Sequence, residues 1–271
     1  RVGTHLPLPQ RHDIGEMKII AIAIQKGGSG KTTTALNLAA ALRELGKRVL
    51  LLDLDPQANL TQALGVSEEI EPNIYHALRQ EAFEQAASME ALLVTRHGLD
   101  LAPASIELAA VEIELVSIYG REQILKPLLH RLKAPYDFVL IDCPPSMGML
   151  TVNALVASDL IIMPLQAEFL PLKGVRSFML HLEKIKKLLN PGIDFLGFVL
   201  TKYDRRKTMN RNVLEKLKEE YGEEKIFSTF IRTNIALVNA QEKGVDIFTF
   251  DKNANGAKDY LQLAQEMLAK M

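Results

Sequence analysis

The stretch that most constrains this chain is Gln25-Lys26-Gly27-Gly28-Ser29-Gly30-Lys31-Thr32-Thr33-Thr34. It lies between an apolar run, KIIAIAI, and a helix-period segment, TTALNLAAALREL. A strand that turns through glycines straight into a helix brings several backbone N–H groups and the positive end of the helix dipole to one point. That arrangement is a cradle for a phosphate, with Lys31 placed to reach β- and γ-phosphates and the Thr32 hydroxyl placed to ligate Mg²⁺. The plain alternative, a flexible Gly/Ser turn, leaves the strand–loop–helix setting unexplained.

The rest of the 271-residue chain keeps the same alternation. Strands are expected at Lys18–Ile24, Arg48–Asp53, Leu99–Ala102, Phe138–Asp142, Leu160–Leu165, Phe195–Thr201 and Asp246–Phe250. Helix-period segments occupy Lys31–Leu45, Ser105–Val116, Arg121–Leu132, Leu150–Ala157, Lys173–Leu189, Arg211–Tyr221 and Gly256–Ala269. Runs such as VLLLD and FVLID are apolar at nearly every position, as strands covered on both faces are. The expected fold is α/β: a doubly wound, mostly parallel sheet flanked by helices, in one domain over residues 17–271. Residues 1–16 are polar and aperiodic, and are expected to be a disordered extension or a remnant of expression.

Composition closes off several classes. Lys+Arg number 32 against 33 Asp+Glu, so any contact with a polyanion must come from a local patch. Cys143 is the only cysteine, which excludes a disulfide framework and a Cys-rich metal or cluster centre within one chain, and points to a reducing, cytoplasmic compartment. No apolar run approaches the roughly 18–20 residues of a membrane span. His76, His97, His130 and His181 show no metal-ligand spacing.

The phosphate loop departs from the general G-x-x-x-x-G-K-[ST] pattern: Gln25 stands at the first glycine position, and a second lysine, Lys26, follows it. A cation beside an already cradled phosphate is redundant for simple binding. It makes sense if it reaches the phosphates of a second subunit, as an arginine finger does; a solvated loop lysine is the alternative. Phe138–Asp142 is an apolar strand ending in a carboxylate, the place of a Walker B acid, so Asp142 is expected to hold Mg²⁺, through water. Asp53 and Asp55 stand at the end of the second strand with i, i+2 spacing, on one side if the strand persists. Asp55 could also cap a helix begun at Pro56.

KGGSGKTTT, LLLDLDPQANLT and FVLIDCPPS together resemble the ParA/Soj–MinD group of deviant-Walker P-loop ATPases, from Met17 to the C-terminus. The resemblance is to the short ParA/Soj partition type, no helix-turn-helix segment being readable ahead of the loop. It implies ATP and Mg²⁺ as cofactors, bound by Lys26, Gly27, Gly28, Ser29, Gly30, Lys31, Thr32 and Thr33. It implies a homodimer closed by ATP with Lys26 acting across the interface, Asp53 near the Mg²⁺ shell, and Asp55 orienting the attacking water. Catalysis then falls to Asp55, Lys26 and Lys31, and is slow without a stimulating partner. Adenine is expected near Thr201, Lys202 and Arg232, although Ile231 replaces the proline of the family's usual Pro-Arg-Asn. Gln166 to Phe169 lead into the dimer interface, with no catalytic role.

Residues 202–211 carry a net +4 in a near-neutral chain. Lys202, Arg205, Arg206, Lys207 and Arg211, with Arg232, are the expected contacts to non-specific double-stranded DNA. A ParB-like adaptor and nucleoid association follow from the resemblance alone. The rival readings are a MinD-like membrane-associated regulator of division-site placement and a metabolic P-loop ligase. The first would need a basic amphipathic tail. The stripe Tyr260, Ala264, Met267, Leu268 and Met271 reads better as a terminal helix docked on the sheet, so no membrane contact is expected.

Overall fold

Along the first strand, Ile19 and Ala21 join one layer of buried side chains, and Ile20 and Ile22 join another. This two-sided burial is why the strands read as continuous apolar runs rather than alternating ones. The structure, a computed structural model, describes residues 17–84, 86–167 and 172–271. The expectation for residues 1–16 lies outside the described residues, as do Glu168 and Phe169.

The strands are β1 (Lys18–Ile22), β2 (Val49–Asp53), β3 (Val94–Arg96), β4 (Leu99–Ala102), β5 (Phe138–Asp142), β6 (Leu160–Gln166), β7 (Asp194–Tyr203) and β8 (Ile231–Arg232). Among the described residues they form one sheet in the order β3-β4-β2-β5-β1-β6-β7-β8. Pairing is parallel except between β3 and β4. The chain first builds outward from β1 through β2, β4 and β5, then crosses to the other side for β6 to β8. The crevice at the carboxyl ends of β1, β5 and β6 is therefore the topological switch point, where such sheets bind ligands.

The helices are α1 (Lys31–Glu44), α2 (Asn59–Ala63), α3 (Ile74–Phe83), α4 (Val111–Glu114), α5 (Leu125–His130), α6 (Met149–Ala157), α7 (Leu172–Leu188), α8 (Thr208–Tyr221), α9 (Ile235–Glu242), α10 (Ile247–Asp251) and α11 (Asn255–Lys270). Leu36, Leu60, Leu237, Ile247 and Tyr260 place α1, α2, α9, α10 and α11 on one face of the sheet. Ile74, Leu128, Leu155, Phe178 and Val213 place α3, α5, α6, α7 and α8 on the other. Of the expected terminal stripe, Tyr260, Ala264 and Met267 are buried in the core with Leu263 beside them, Leu268 is half-buried against it, and Met271 is exposed.

One expected strand is a helix. Residues 246–250 form the start of α10, because the Asp246 carboxylate accepts hydrogen bonds from the N–H groups of Phe248 and Thr249 at 2.9 and 3.0 Å. Such a cap satisfies the first free amides of a helix and outweighs the β-like run of Val, Ile, Thr and Phe. The segment expected to be one helix at Ser105–Val116 is instead a chain of short turns, with α4 between two 3₁₀ stretches. Helix α5 begins later than expected, where Asn153 of α6 accepts from the N–H groups of Ile124 and Leu125 at 2.9 and 3.1 Å. The short helices α2, α3 and α9 lie outside the expected set.

Candidate active site

The phosphate loop leaves β1 and reaches α1 through Gly28 and Gly30, whose φ angles are +70° and +93°. Both lie in the left-handed region, which glycine enters without the steric cost of a Cβ. Helix α1 starts at Lys31, so its free N–H groups face the loop. The Lys31 side chain is buried within the loop, and its Nζ donates to the Lys26 carbonyl at 3.0 Å. Lys26 itself is half-buried on the loop.

Asp142 ends β5 and stands in register with Ile22 of β1 and with Asp53 of β2. The Thr32 hydroxyl donates to Asp142 Oδ2 at 2.7 Å. The other oxygen, Oδ1, is buried and finds no hydrogen-bond partner among the described residues, and the same holds for Ser29 Oγ. A buried carboxylate oxygen left bare is costly unless a cation or donor completes it. A hard cation with oxygen ligands fits here, with Thr32 and Asp142 as its protein side.

Asp53, expected near the Mg²⁺ shell, stands beside Asp142 with its oxygens bonded to other partners. Its Oδ2 accepts from the Thr61 N–H at 2.9 Å and the Thr61 hydroxyl at 2.7 Å, and its Oδ1 accepts from the Asp55 N–H at 3.1 Å. Both oxygens are thus engaged in holding the loop after β2 and the helix α2. Asp53 acts on the site as a neighbouring charge. Burial pushes its carboxyl up to about 6, and burial together with the Asp53 charge pushes Asp142 well above the usual carboxylate range.

A carboxyl whose folded pKa is raised stabilises the fold while protonated. Here that stability is present below about pH 4 and is lost as pH rises through about 6. In EDTA at pH 7–8, Asp142→Asn is therefore expected to be more stable than the parent protein by roughly 0.5–2 kcal/mol, the common size of a single stabilising substitution. The same variant should lose the Mg²⁺-dependent part of its stabilisation by nucleotide. Thermal unfolding with and without Mg²⁺ checks both; a lower melting temperature in EDTA would mean that the charge pair is not a strain.

Asp55 is buried near the site, and its Oδ1 accepts from the Gln57 N–H at 3.0 Å. It closes a turn and does not cap a helix: α2 begins at Asn59, after Ala58 in the left-handed region. Cys143, next along β5, is fully buried and its thiol is pushed up by burial, so it takes no part as a nucleophile.

Thr201, expected near adenine, turns its hydroxyl elsewhere. It is buried at the end of β7 and donates to the Ser29 carbonyl at 3.0 Å. Lys202 is exposed beside it, with φ +51°. The Arg232 guanidinium lies on the buried Asp259, at 2.6 Å, and stays half exposed. Two further site contacts are not read from the sequence, in which Gln166 is expected only to lead into a dimer interface. The Gln166 side-chain amide donates to the Gly28 carbonyl, and Gln241 of α9 donates to the Thr33 hydroxyl at 3.0 Å.

Four of the six expected cations gather at one place. Arg205, Arg206 and Lys207, with Arg232, line a cleft of about 880 Å³ between the ends of β7 and β8 and helix α11. Arg205 lies 5.8 Å from the centre of the Phe230 ring. Arg206 bonds to Asp204 through both carboxylate oxygens, pulling that carboxyl down to about 2. Arg211 is exposed one turn into α8, its guanidinium 3.2 Å from the Thr208 hydroxyl. Asn210 ties the loop to the sheet, accepting from the Asp204 N–H at 2.7 Å and donating to the Ala167 carbonyl at 2.8 Å.

A glycine loop on a helix start, a buried threonine–aspartate pair with a bare oxygen, and a lysine folded into the loop define a P-loop nucleotide-phosphate site at a doubly wound switch point. Residues 17–195 match a family model described as an AAA domain. The chain is 42% identical over 253 residues to the sporulation initiation inhibitor protein Soj of Bacillus subtilis, covering 93% of this chain and 98% of that one. It is 39% identical over 257 residues to the chromosome partitioning protein ParA of Caulobacter vibrioides, covering 94% and 95%. A crystal structure of cobyrinic acid a,c-diamide synthase from Mycobacterium smegmatis, with bound ATP analog and magnesium, superposes at TM-score 0.80 and 36% identity, over 92% of this chain and 93% of that one. The chain belongs to the ParA/Soj family of P-loop ATPases.

Proposed function

We propose that this ATPase is a dimerising switch that positions a cargo, a replicon or a large protein assembly, over DNA. ATP and Mg²⁺ occupy the phosphate loop, Thr32 and Asp142, and two copies close on the nucleotide with Lys26 of each reaching the other. The closed dimer binds double-stranded DNA without reading its sequence, and an adaptor of the ParB kind stimulates hydrolysis and release. The observation that carries this reading is the position of the basic cluster. Thr201 grips the phosphate loop, and the chain runs from it directly into Lys202, Arg205, Arg206 and Lys207. A shift of the loop on nucleotide binding would reach these cations along one to six peptide units of the same chain segment.

The test is a gel shift on non-specific duplex DNA with the Asp55→Ala protein in ATP, in ADP and without nucleotide. Binding is expected in ATP alone and should weaken steeply with salt. Arg205→Glu/Arg206→Glu should lower affinity at least tenfold and reduce the slope of log K against log salt by about 2, one unit for each phosphate no longer neutralised. Dimerisation should persist in that variant. The name of the mycobacterial protein raises a ligase reading; ATP-independent or absent DNA binding, with turnover only when a carboxylic acid and a nitrogen donor are supplied, would favour it.

A further inference from the structure

Two side chains from outside the phosphate loop hold its backbone. Gln166 ends β6 and Thr201 lies near the end of β7, and the two stand opposite each other in the β6–β7 register. The Gln166 amide donates to the Gly28 carbonyl, and the Thr201 hydroxyl donates to the Ser29 carbonyl at 3.0 Å. The bonds fall on consecutive peptide units. Each such unit is planar and trans, so its C=O and the N–H of the next residue point in opposite directions. A carbonyl of Gly28 drawn toward β6 turns the Ser29 N–H away from β6, and a carbonyl of Ser29 drawn toward β7 turns the Gly30 N–H away from β7. Both amides are thereby turned away from the strands that hold their carbonyls.

We infer that Thr201 and Gln166 are positioning residues for the ATPase reaction: by fixing the carbonyls of Gly28 and Ser29 they aim the N–H groups of Ser29 and Gly30 at the nucleotide's phosphates before nucleotide arrives. Free glycine-rich backbone would have to be ordered at the moment of binding, at a cost of conformational entropy. Donors held in place in advance avoid that cost. The packing around Thr201 supports the assignment. A Cβ built on Gly30 would lie 3.5 Å from the Thr201 methyl carbon, at van der Waals contact, so the loop backbone packs directly beside this side chain. Thr201 is almost fully buried, and its hydroxyl is used on the loop.

The inference rests on the nucleotide-binding half of the proposed function alone, and its test uses no DNA, so a failed gel shift leaves it standing. Dissociation constants for ATP and GTP would be measured for the parent chain, Thr201→Val, Thr201→Ser and Gln166→Met, together with steady-state hydrolysis. Valine keeps the shape against Gly30 and removes the donor. The expected result is a loss of about three- to tenfold for Thr201→Val, the size of one hydrogen bond. The loss should be by the same factor for ATP and GTP, since the phosphates are common to both. KM should rise with kcat nearly unchanged, the mark of an interaction made equally in ground and transition states. Thr201→Ser should return to within about twofold of the parent. Gln166→Met, at a half-buried position, should show a smaller loss of the same kind, and it carries the test should the valine variant prove unstable. Affinity within twofold of the parent in both donor-less variants would overturn the inference. So would a loss confined to ATP, which would place Thr201 at the base, or a serine variant as weak as the valine one.

Discussion

Lys31→Ala is expected to lose ATP binding by at least about 30-fold while folding as well as the parent chain. The Lys31 ammonium is almost wholly buried within the loop, where it donates to the Lys26 carbonyl at 3.0 Å. That carbonyl and the nearby Asp142 carboxylate are what this charge meets in the free loop, and a phosphate would add a closer counter-charge. Removing one partner of a buried, hydrogen-bonded charge pair costs about 2–5 kcal/mol in binding, which spans roughly 30-fold to several thousand-fold in affinity. The fold itself should not suffer, because the variant also removes a desolvated cation from the loop. Titration calorimetry with ATP and ADP, beside thermal unfolding without nucleotide, separates the two effects. ATP affinity within tenfold of the parent would show that the backbone amides carry the phosphate and that the lysine acts only in the chemical step.

Asp55→Ala is expected to slow ATP hydrolysis by about 100-fold or more with ATP affinity changed only a few-fold. Orienting or deprotonating an attacking water contributes about 10²–10⁴-fold in enzymes that use a positioned carboxylate. The nearest rival acid is Asp53, and both of its oxygens are bound, to Thr61 and to the Asp55 N–H. Asp142 is matched to Thr32 and to the cation position. In the proposed switch Asp55 is the carboxylate assigned to the water, and its Oδ1 is steadied by the Gln57 N–H. Alanine gives up that one turn bond, worth about 1 kcal/mol, so the variant should remain folded. Single-turnover hydrolysis measured beside ATP binding checks this. Hydrolysis within a few-fold of the parent would pass the water to another group, and the variant would no longer serve as a trapped state in the DNA experiment.

Much of the fold is legible in the amino-acid sequence. The sheet's central strands are apolar on both faces, and that pattern survives in a single sequence because burial acts on every residue of the run. The phosphate loop is legible for a related reason: its chemistry lies in ten consecutive residues, where glycine freedom, helix start and lysine are neighbours in the chain. Misreadings come where two local signals compete. Residues 246–250 alternate well enough for a strand, and the Asp246 cap, with Arg43 bonded to its carboxylate at 3.1 Å, settles them as helix. Arg43 lies some two hundred residues earlier, so no window of sequence contains that pair.

The sequence by itself therefore determined the class of fold, the phosphate loop with its second lysine, and the acids at the ends of β2 and β5, because each is written within one strand or one turn. Only the tertiary structure decided what those groups are bonded to. It gave Asp53 to Thr61, left Asp142 with a bare oxygen, set the Thr201 hydroxyl on the phosphate loop, and brought the Gln166 and Gln241 side chains to that loop and the helix it opens. The physical reason is that backbone conformation and burial follow from neighbours along the chain. A hydrogen-bond partner depends on which strand ends lie side by side, and that is fixed by the order of the sheet.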